Sequence, residues 1–145
     1  MLLILDEVMC GMGRTGFMHA WQGDMHARPG EDVVPDILLV GKGLAGGYAA
    51  ISAMLLSPEI TDAIESGPGF NHGHTFQNSA QGCVAGLTVM DIIEMDNLLE
   101  NVRAKGKVLR KQLNKRLGGH RYVGNIRGRG LFIGVSVQWL SAGHE

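Results

Sequence analysis

The sequence predicts an α/β fold for most of the chain, followed by a segment of α+β character. Two short apolar runs, residues 2–5 and 37–40, are typical of strands in a parallel sheet that is covered on both faces. Strand-like and helix-like segments alternate after them. We therefore predict an α/β part at residues 1–95, a connecting helix at 96–118 and the start of an α+β segment at 119–145.

Turn and capping residues divide the rest of the chain into elements. Ser57 followed by Pro58 is typical of a helix start. Asn78 and Asp96 are expected to cap the two helices that follow. The predicted elements are a short helix at 17–25, a loop at 26–34, a strand at 49–56, a helix at 58–65, a loop at 68–77, helices at 80–95 and 97–117, and strands at 122–126 and 131–137 around a turn at 127–130.

The two long helices have different sequence patterns. Small and apolar residues occur almost all round the 80–95 helix, which predicts a buried helix. The 97–117 helix is amphipathic, and its apolar face is formed by Leu98, Val102, Leu109 and Leu113. Its basic residues could form a stripe for nucleic acid, but we interpret them as a solvated face because acids elsewhere balance the charge.

The composition is that of an ordinary globular domain. The 145 residues are 45% hydrophobic and 19% charged, and the net charge of −1 gives no reason to expect nucleic acid or an anionic membrane as a partner. No apolar run approaches the roughly 18–20 residues that span a bilayer. Cys10 and Cys83 do not form a C-x-x-C pair, so neither a disulfide framework nor a zinc site is predicted. We expect an intracellular, cytoplasmic protein and, because the chain enters a strand at its second residue, a piece of a longer one.

Lys42 is the first candidate functional residue, because it follows the 37–40 strand between two glycines. Burying an ammonium group is costly unless the group is paired or neutralised, and a desolvated neutral lysine is the form that builds Schiff bases. Gly41 and Gly43 would let a flat partner approach the backbone closely. The alternative interpretation is a surface lysine in a Gly-rich turn.

Asp6 is the second candidate, because it ends the first strand as Lys42 follows the second. Ligands of open α/β sheets bind at the carboxyl edge, so the two side chains could face each other across a crevice. Pyridoxal phosphate chemistry requires this pair. A lysine holds the cofactor as an imine, and a carboxylate keeps the pyridine nitrogen protonated.

Two other interpretations of these glycine-rich segments are weaker. Residues 11–16 and 41–46 both match G-x-G-x-x-G, but neither precedes a convincing helix, as a dinucleotide site needs. Residues 2–7 are similar to a Walker B strand of nucleotide hydrolases. Gly43 follows Lys42, however, where a phosphate-binding loop has serine or threonine.

Four stretches together resemble one family, the class III (ornithine- and GABA-type) aminotransferases of the fold-type I pyridoxal phosphate enzymes. Their order and spacing agree over essentially the whole chain. The stretches are Leu-Ile-Leu-Asp-Glu-Val with Gly-Met-Gly-Arg-Thr-Gly (3–16), Pro-Asp-Ile with Gly-Lys-Gly-Leu-Ala-Gly-Gly (35–47), His-Gly-His-Thr (72–75) and Ile-Arg-Gly-Arg-Gly-Leu (126–131).

The resemblance implies a role for each matching position. Lys42 matches the Schiff-base lysine, and Asp6 matches the partner of the pyridine nitrogen. Val8 matches the residue that packs on the cofactor ring. Thr75 matches a threonine that reaches the cofactor phosphate of the neighbouring subunit, which implies a homodimer. Arg127 matches an arginine that binds the substrate carboxylate, a task that suits a bidentate guanidinium.

The chain departs from the family pattern in two places. Met9 stands where many members have a glutamine that reaches the cofactor's phenolic oxygen. Residues 77–79 replace a common Gly-Asn-Pro. The resemblance implies that residues 1–95 are the C-terminal part of the large, cofactor-binding domain of the family and that residues 119–145 are the start of its small domain. The phosphate-binding turn and the stacking aromatic of the family are then expected upstream of these residues, and most of the small domain after them.

Structural interpretations of the same residues remain open. Asp6 could cap a backbone turn, Thr75 could be a helix-entry residue, and Arg127 could be a surface turn residue, with Arg129 nearby as a competitor. His72 and His74 are two histidines without a third ligand, so we interpret them as loop hydrogen-bonders rather than a metal site.

The expected activity is transfer of an amino group from an amine or amino acid to a 2-oxo acid. The expected partners are these small molecules and a second copy of the chain. The alternative is a catalytically inactive truncated homologue that keeps part of the fold and the dimer surface, and we expect the 145-residue chain alone to be inactive.

Overall fold

The main sheet places two parallel strands side by side. The computed structural model describes residues 1–23 and 33–138. Its three strands lie in the order β1 (Ile4–Asp6), β2 (Ile37–Val40) and β3 (Ala53–Leu56). β1 runs parallel to β2, and β3 runs antiparallel to it. Val40 of β2 is only 3% exposed, so the centre of the core lies under this strand.

The helices and the second sheet follow the predicted order. They are α1 (Pro58–Glu65), α2 (Ala80–Met95) and α3 (Leu98–Leu117), followed by the antiparallel pair β4 (Val123–Arg129) and β5 (Phe132–Val137). β4 extends past the predicted strand end, so Arg127 lies inside a strand that pairs with Gly134 rather than in a turn. The turn begins at Gly130 instead.

The short helix predicted at 17–25 is wrong over the described residues. A single 3-10 turn forms there, at Ala20–Gly23, because the Glu7 carboxylate binds its first two backbone N–H groups. The loop predicted at 26–34 lies mostly outside the described residues, as does the end of the 119–145 segment. The third strand is shorter than predicted and begins at Ala53.

One of the three predicted helix caps lies at the observed N-cap position, and the other two are each one residue too early. Ser57 occupies the N-cap position of α1, but its hydroxyl makes no capping bond. Asn78 and Asp96 are not the caps of α2 and α3, which begin after Ser79 and Asn97. Asn78 instead adopts a left-handed conformation (φ +55°) within the preceding turn, and Asp96 ends α2.

The prediction that the 80–95 helix is buried is wrong. Only Gly82, Gly86 and Ile93 of α2 are buried, whereas Leu87 is 59% exposed. The two glycines face the segment that connects β2 to β3. A Cβ on Gly82, for example, would lie 3.4 Å from the Ile51 side chain. The described residues cover this one face of α2 and leave the other faces in solvent.

The amphipathic face of α3 is displaced from the predicted one. Leu98, Val102 and Leu113 are half-buried as expected, but Leu109 is exposed. Gly106 is the buried centre of this face, because the backbone of Gly130 lies directly on it. The close approach of two glycine backbones, rather than leucine packing, therefore sets how α3 meets the second sheet.

β1 is more open than a strand covered on both faces. Leu2 and Ile4 are exposed, since β1 is the edge of the sheet in the part of the chain that the structure describes. Across the same residues, no helix combines the length and the apolar character needed to cross a membrane.

Candidate functional site

The carboxyl ends of β1 and β2 bring Asp6 and Lys42 to the same edge of the sheet. Asp6 is in register with Leu39, and the Glu7 backbone N–H donates to the Leu39 carbonyl at 2.9 Å. Lys42 follows the end of β2 by two residues. Parallel pairing of two adjacent strands thus gives the edge that the sequence predicted for these residues.

Lys42 begins a 3-10 turn (Lys42–Ala45) in an unusual backbone conformation. Its φ of +41° lies in the left-handed region, which disfavours a residue with a Cβ by about 1–2 kcal/mol. Such conformations often occur at functional sites. The side chain is exposed rather than buried, and the described residues offer it no carboxylate within salt-bridge distance.

A cleft of about 710 Å³ opens at Lys42. Residues 49–53, the segment that leads into β3, form one wall. His74 and residues 76–79 form another, and Cys83 of α2 also lines the cleft. Thr75 does not line it, although both of its neighbours do, and its side chain is exposed. The volume is within the range of small-molecule sites, about 300–1,000 Å³.

Val8 connects the two strand ends. Its side chain packs on Gly41, where an added Cβ would lie 3.5 Å from Val8 Cγ1. Its backbone N–H donates to Asp6 Oδ1 at 3.0 Å. Asp6 therefore does cap a backbone turn, as one interpretation of the sequence held, but this bond uses only one of its two carboxylate oxygens.

Asp6 and Lys42 do not line the same cleft. Asp6 lines a second concavity of about 380 Å³ together with Glu7, Cys10 and Arg129. The structure thus brings Asp6, Val8 and Lys42 to one sheet edge but opens the carboxylate and the amine to different spaces.

Arg127 and Arg129 have different environments. Arg127 is exposed on β4, and its Nη1 donates to Asn125 Oδ1 at 2.9 Å and to Ser136 Oγ. Arg129 is half-buried and donates from Nη1 to the Gly23 carbonyl and from Nη2 to the Ala20 carbonyl. Arg127 lines neither the Lys42 cleft nor the Asp6 concavity.

The sequence did not single out Glu7 as a structural residue. Glu7 is 3% exposed, and its two oxygens accept the backbone N–H groups of Ala20 and Trp21 at 2.7 and 2.8 Å. Burial and the neighbouring Glu7 carboxylate raise the pKa of the Cys10 thiol. The structural role of Glu7 could have been suggested by its position in the sequence, directly after a strand-end aspartate and before a glycine-rich loop.

His72 and His74 are both exposed, and their rings stack edge to face with centroids 5.7 Å apart. In the described part of the chain, no group of three or more His, Cys, Asp or Glu side chains is arranged to hold a metal ion. Neither glycine-rich match leads into an α-helix: the first precedes the Ala20–Gly23 turn and the second contains the Lys42–Ala45 turn. These segments therefore lack the helix N-terminus of a dinucleotide site.

A comparison with protein families decides the classification. The family model described as aminotransferase class-III matches residues 1–142. The chain belongs to the class III aminotransferases. The family resemblance predicted from the four sequence stretches is confirmed, and the family depends on pyridoxal phosphate.

Individual aminotransferases are similar to the chain in sequence and fold. An aminotransferase of Gibberella zeae is 54% identical over 132 residues, which is 90% of this chain and 24% of that protein. A mitochondrial acetylornithine aminotransferase of Alnus glutinosa is 39% identical over 94% of this chain and 28% of that protein. The crystal structure of taurine:2-oxoglutarate aminotransferase from Bifidobacterium kashiwanohense, in complex with PLP and glutamate, matches with a TM-score of 0.82 at 30% identity, over 94% of this chain and 29% of that one.

These comparisons confirm the predicted α/β fold of the pyridoxal phosphate-dependent aminotransferases. The chain spans about a quarter of the length of the relatives that it matches. The chain has the two groups that pyridoxal phosphate needs. They are the Lys42 amine, which lies at an open cleft, and the Asp6 carboxylate, which ends the adjacent parallel strand. The separate openings of Asp6 and Lys42, and the positions of Thr75 and Arg127 outside the Lys42 cleft, do not match a finished site.

Proposed function

We propose that the protein carrying this chain transfers an amino group from an amine or amino acid to a 2-oxo acid, with pyridoxal phosphate as cofactor. The observation that carries the proposal is the position of Asp6 and Lys42 after adjacent parallel strands, in a chain of the class III aminotransferase family. The bound cofactor supplies an electron sink for the carbanion of the substrate.

Lys42 has two tasks in this proposal. Its amine would hold the cofactor covalently, and the same group would take the proton from the substrate Cα as an amine and return it as an ammonium group. The open cleft and the left-handed turn present the Lys42 side chain to this space without a competing carboxylate among the described residues.

Asp6 and Val8 act on the ring of the cofactor. The Asp6 carboxylate pairs with the pyridine nitrogen and keeps its proton in place. The Val8 N–H holds one oxygen of that carboxylate, and the Val8 side chain, which packs on Gly41, would contact the ring of the bound cofactor.

Thr75 and Arg127 contact the ends of the bound molecules. Thr75 reaches the cofactor phosphate of the neighbouring subunit, so the working protein is a homodimer; its exposure on an open loop supports this role. Arg127 binds the substrate carboxylate. Its hydrogen-bond partners Asn125 and Ser136 are neutral, so its charge is not cancelled, whereas both Nη groups of Arg129 are held by backbone carbonyls.

Borohydride reduction of the protein with added pyridoxal phosphate, followed by peptide mapping, tests the proposal. We expect one labelled peptide, which contains Lys42. Lys42→Ala should remove the label, and Lys105→Ala, which changes an exposed lysine of α3, should keep it. Labels scattered over surface lysines, with Lys42 unlabelled, would contradict the role of Lys42.

A second candidate is that this chain alone keeps the fold without catalysis. The separate openings of Asp6 and Lys42 favour it. Labelling of Lys42 in a longer protein that contains this chain, but not in the chain itself, would support this candidate. Amino-group transfer by the chain itself would exclude it.

A further inference from the structure

The Ala20–Gly23 turn is held from both of its ends by opposite charges. The Glu7 carboxylate accepts the N–H groups of Ala20 and Trp21 at its start. The Arg129 guanidinium donates to the carbonyls of Ala20 and Gly23. This order suits the direction of the peptide dipoles in the turn, since an anion lies at the N–H groups and a cation at the carbonyl groups.

The same residues lead directly to Asp6. Glu7 is the next residue along the chain, and its backbone N–H belongs to the β1–β2 pairing through the Leu39 carbonyl. Its side chain is too buried to move independently of the turn that it binds. A displacement of the turn would therefore displace the strand end on which the Asp6 carboxylate is oriented.

Arg129 comes from the second sheet, more than 100 residues along the chain from its partners. Its neighbours are fixed as well: the Leu131 N–H donates to the Arg14 carbonyl at 3.0 Å, and Gly130 packs on the Thr15 backbone. The backbone next to Arg129 is therefore held in place, and this fixes the position from which the guanidinium binds the turn.

We propose that Arg129 is a positioning residue, which fixes the orientation of the Asp6 carboxylate through the Ala20–Gly23 turn and Glu7. The importance of this orientation for catalysis rests on the proposed function. Arg129 itself bonds backbone carbonyls, so it is assigned no contact with the substrate.

Amide hydrogen exchange of the cofactor-free protein tests the inference without any activity. The exchange rate of the Val8 N–H measures how firmly it is bonded to the Asp6 carboxylate. The exchange rates of the Ala20 and Trp21 N–H groups measure how firmly the turn is bonded to Glu7. Loss of charge-assisted bonds in Arg129→Gln should speed exchange at all three amides by about tenfold or more. Arg129→Lys, which keeps a cation and one of the two bonds, should restore part of the protection.

Arg103→Gln is the matched control. Arg103 also donates a long-range bond to a backbone carbonyl, that of Gly16, but makes no hydrogen bond to the described residues of the turn or to Glu7. It should leave exchange at Val8, Ala20 and Trp21 unchanged. Exchange that rises equally across β2 and β3 would mean that Arg129 only stabilises the fold, and unchanged exchange in Arg129→Gln would also overturn the inference.

A double variant distinguishes this result from a failure of the proposed function. If Arg129 acts through Glu7, the pair Glu7→Gln and Arg129→Gln should speed Val8 exchange no more than the larger single effect. Additive effects would overturn the inference. Labelling of Lys42 by the cofactor is measured separately, so a chain that fails to bind the cofactor would still give an interpretable exchange result.

Discussion

Replacing Gly130 with alanine should strongly destabilise the fold, because Gly130 lies where three backbone segments meet. A Cβ at this position would lie 2.5 Å from the carbonyl carbon of Thr15 and 2.8 Å from the Arg14 carbonyl oxygen. Gly130 itself lies on Gly106 of α3. Neither obstacle is the end of a flexible side chain, so the backbone would have to move.

The magnitude has two parts. The φ of Gly130 is +56°, and placing alanine in the left-handed region costs about 1–2 kcal/mol. Overpacking of a close contact adds about 1–3 kcal/mol. We therefore expect a loss of about 2–5 kcal/mol in the free energy of unfolding.

Gly69→Ala is the matched control, because Gly69 has a φ of +78° but nothing within 4 Å of its added Cβ. It should lose only the conformational part, about 1–2 kcal/mol. Urea unfolding of the purified chain, followed by circular dichroism, measures both variants. Equal losses in the two variants would refute the reasoning, since the backbone junction would then contribute nothing.

Three further changes have expected outcomes. Glu7→Gln removes the charge from two hydrogen bonds to backbone N–H groups, one buried and one partly buried, and should lower the free energy of unfolding by about 2–3 kcal/mol in the same urea assay. Ile93→Ala should cost about 2–5 kcal/mol because the side chain is 7% exposed, whereas Ile92→Ala, at 44% exposure, should cost under about 1 kcal/mol; thermal melting compares them. The raised pKa of Cys10 predicts slower alkylation than at Cys83 near pH 8, and an increase as pH rises. Since the folded thiol holds its proton more tightly than the unfolded one, its contribution to stability is present below the unfolded pKa and is lost as pH rises through the folded pKa.

The parts of the fold that depend on local sequence were predictable. The apolar runs that end in Asp6 and before Lys42 gave the two parallel strands and their shared carboxyl edge. The 80–95 helix was predicted with its observed bounds, because the residues on both sides of it are typical of loops. The bounds of these elements depend on the immediate neighbours of each residue, and the shared edge follows from the rule that ligands of open α/β sheets bind at the carboxyl ends of the strands.

The parts that depend on long-range contacts were not predictable. Nothing in the sequence near Glu7 shows that its carboxylate binds a turn 13 residues away, which replaces the expected helix by a single 3-10 turn. The sequence near Leu109 also does not show that the buried face of α3 is centred on the Gly106–Gly130 contact, which leaves Leu109 exposed. The helix pattern identifies apolar residues, but only the partner decides which of them are covered.

The same distinction explains why the candidate site is only partly assembled. The positions of Asp6, Val8 and Lys42 depend on the β1–β2 pair and on the turns that follow these two strands. Closure of the Lys42 cleft depends on the 72–79 loop and on α2, whose outer faces are exposed over the described residues. The proposed contact of Thr75 with a second subunit would explain both the exposed surface of α2 and the open cleft, because the groups that complete the site would then come from outside this stretch of chain.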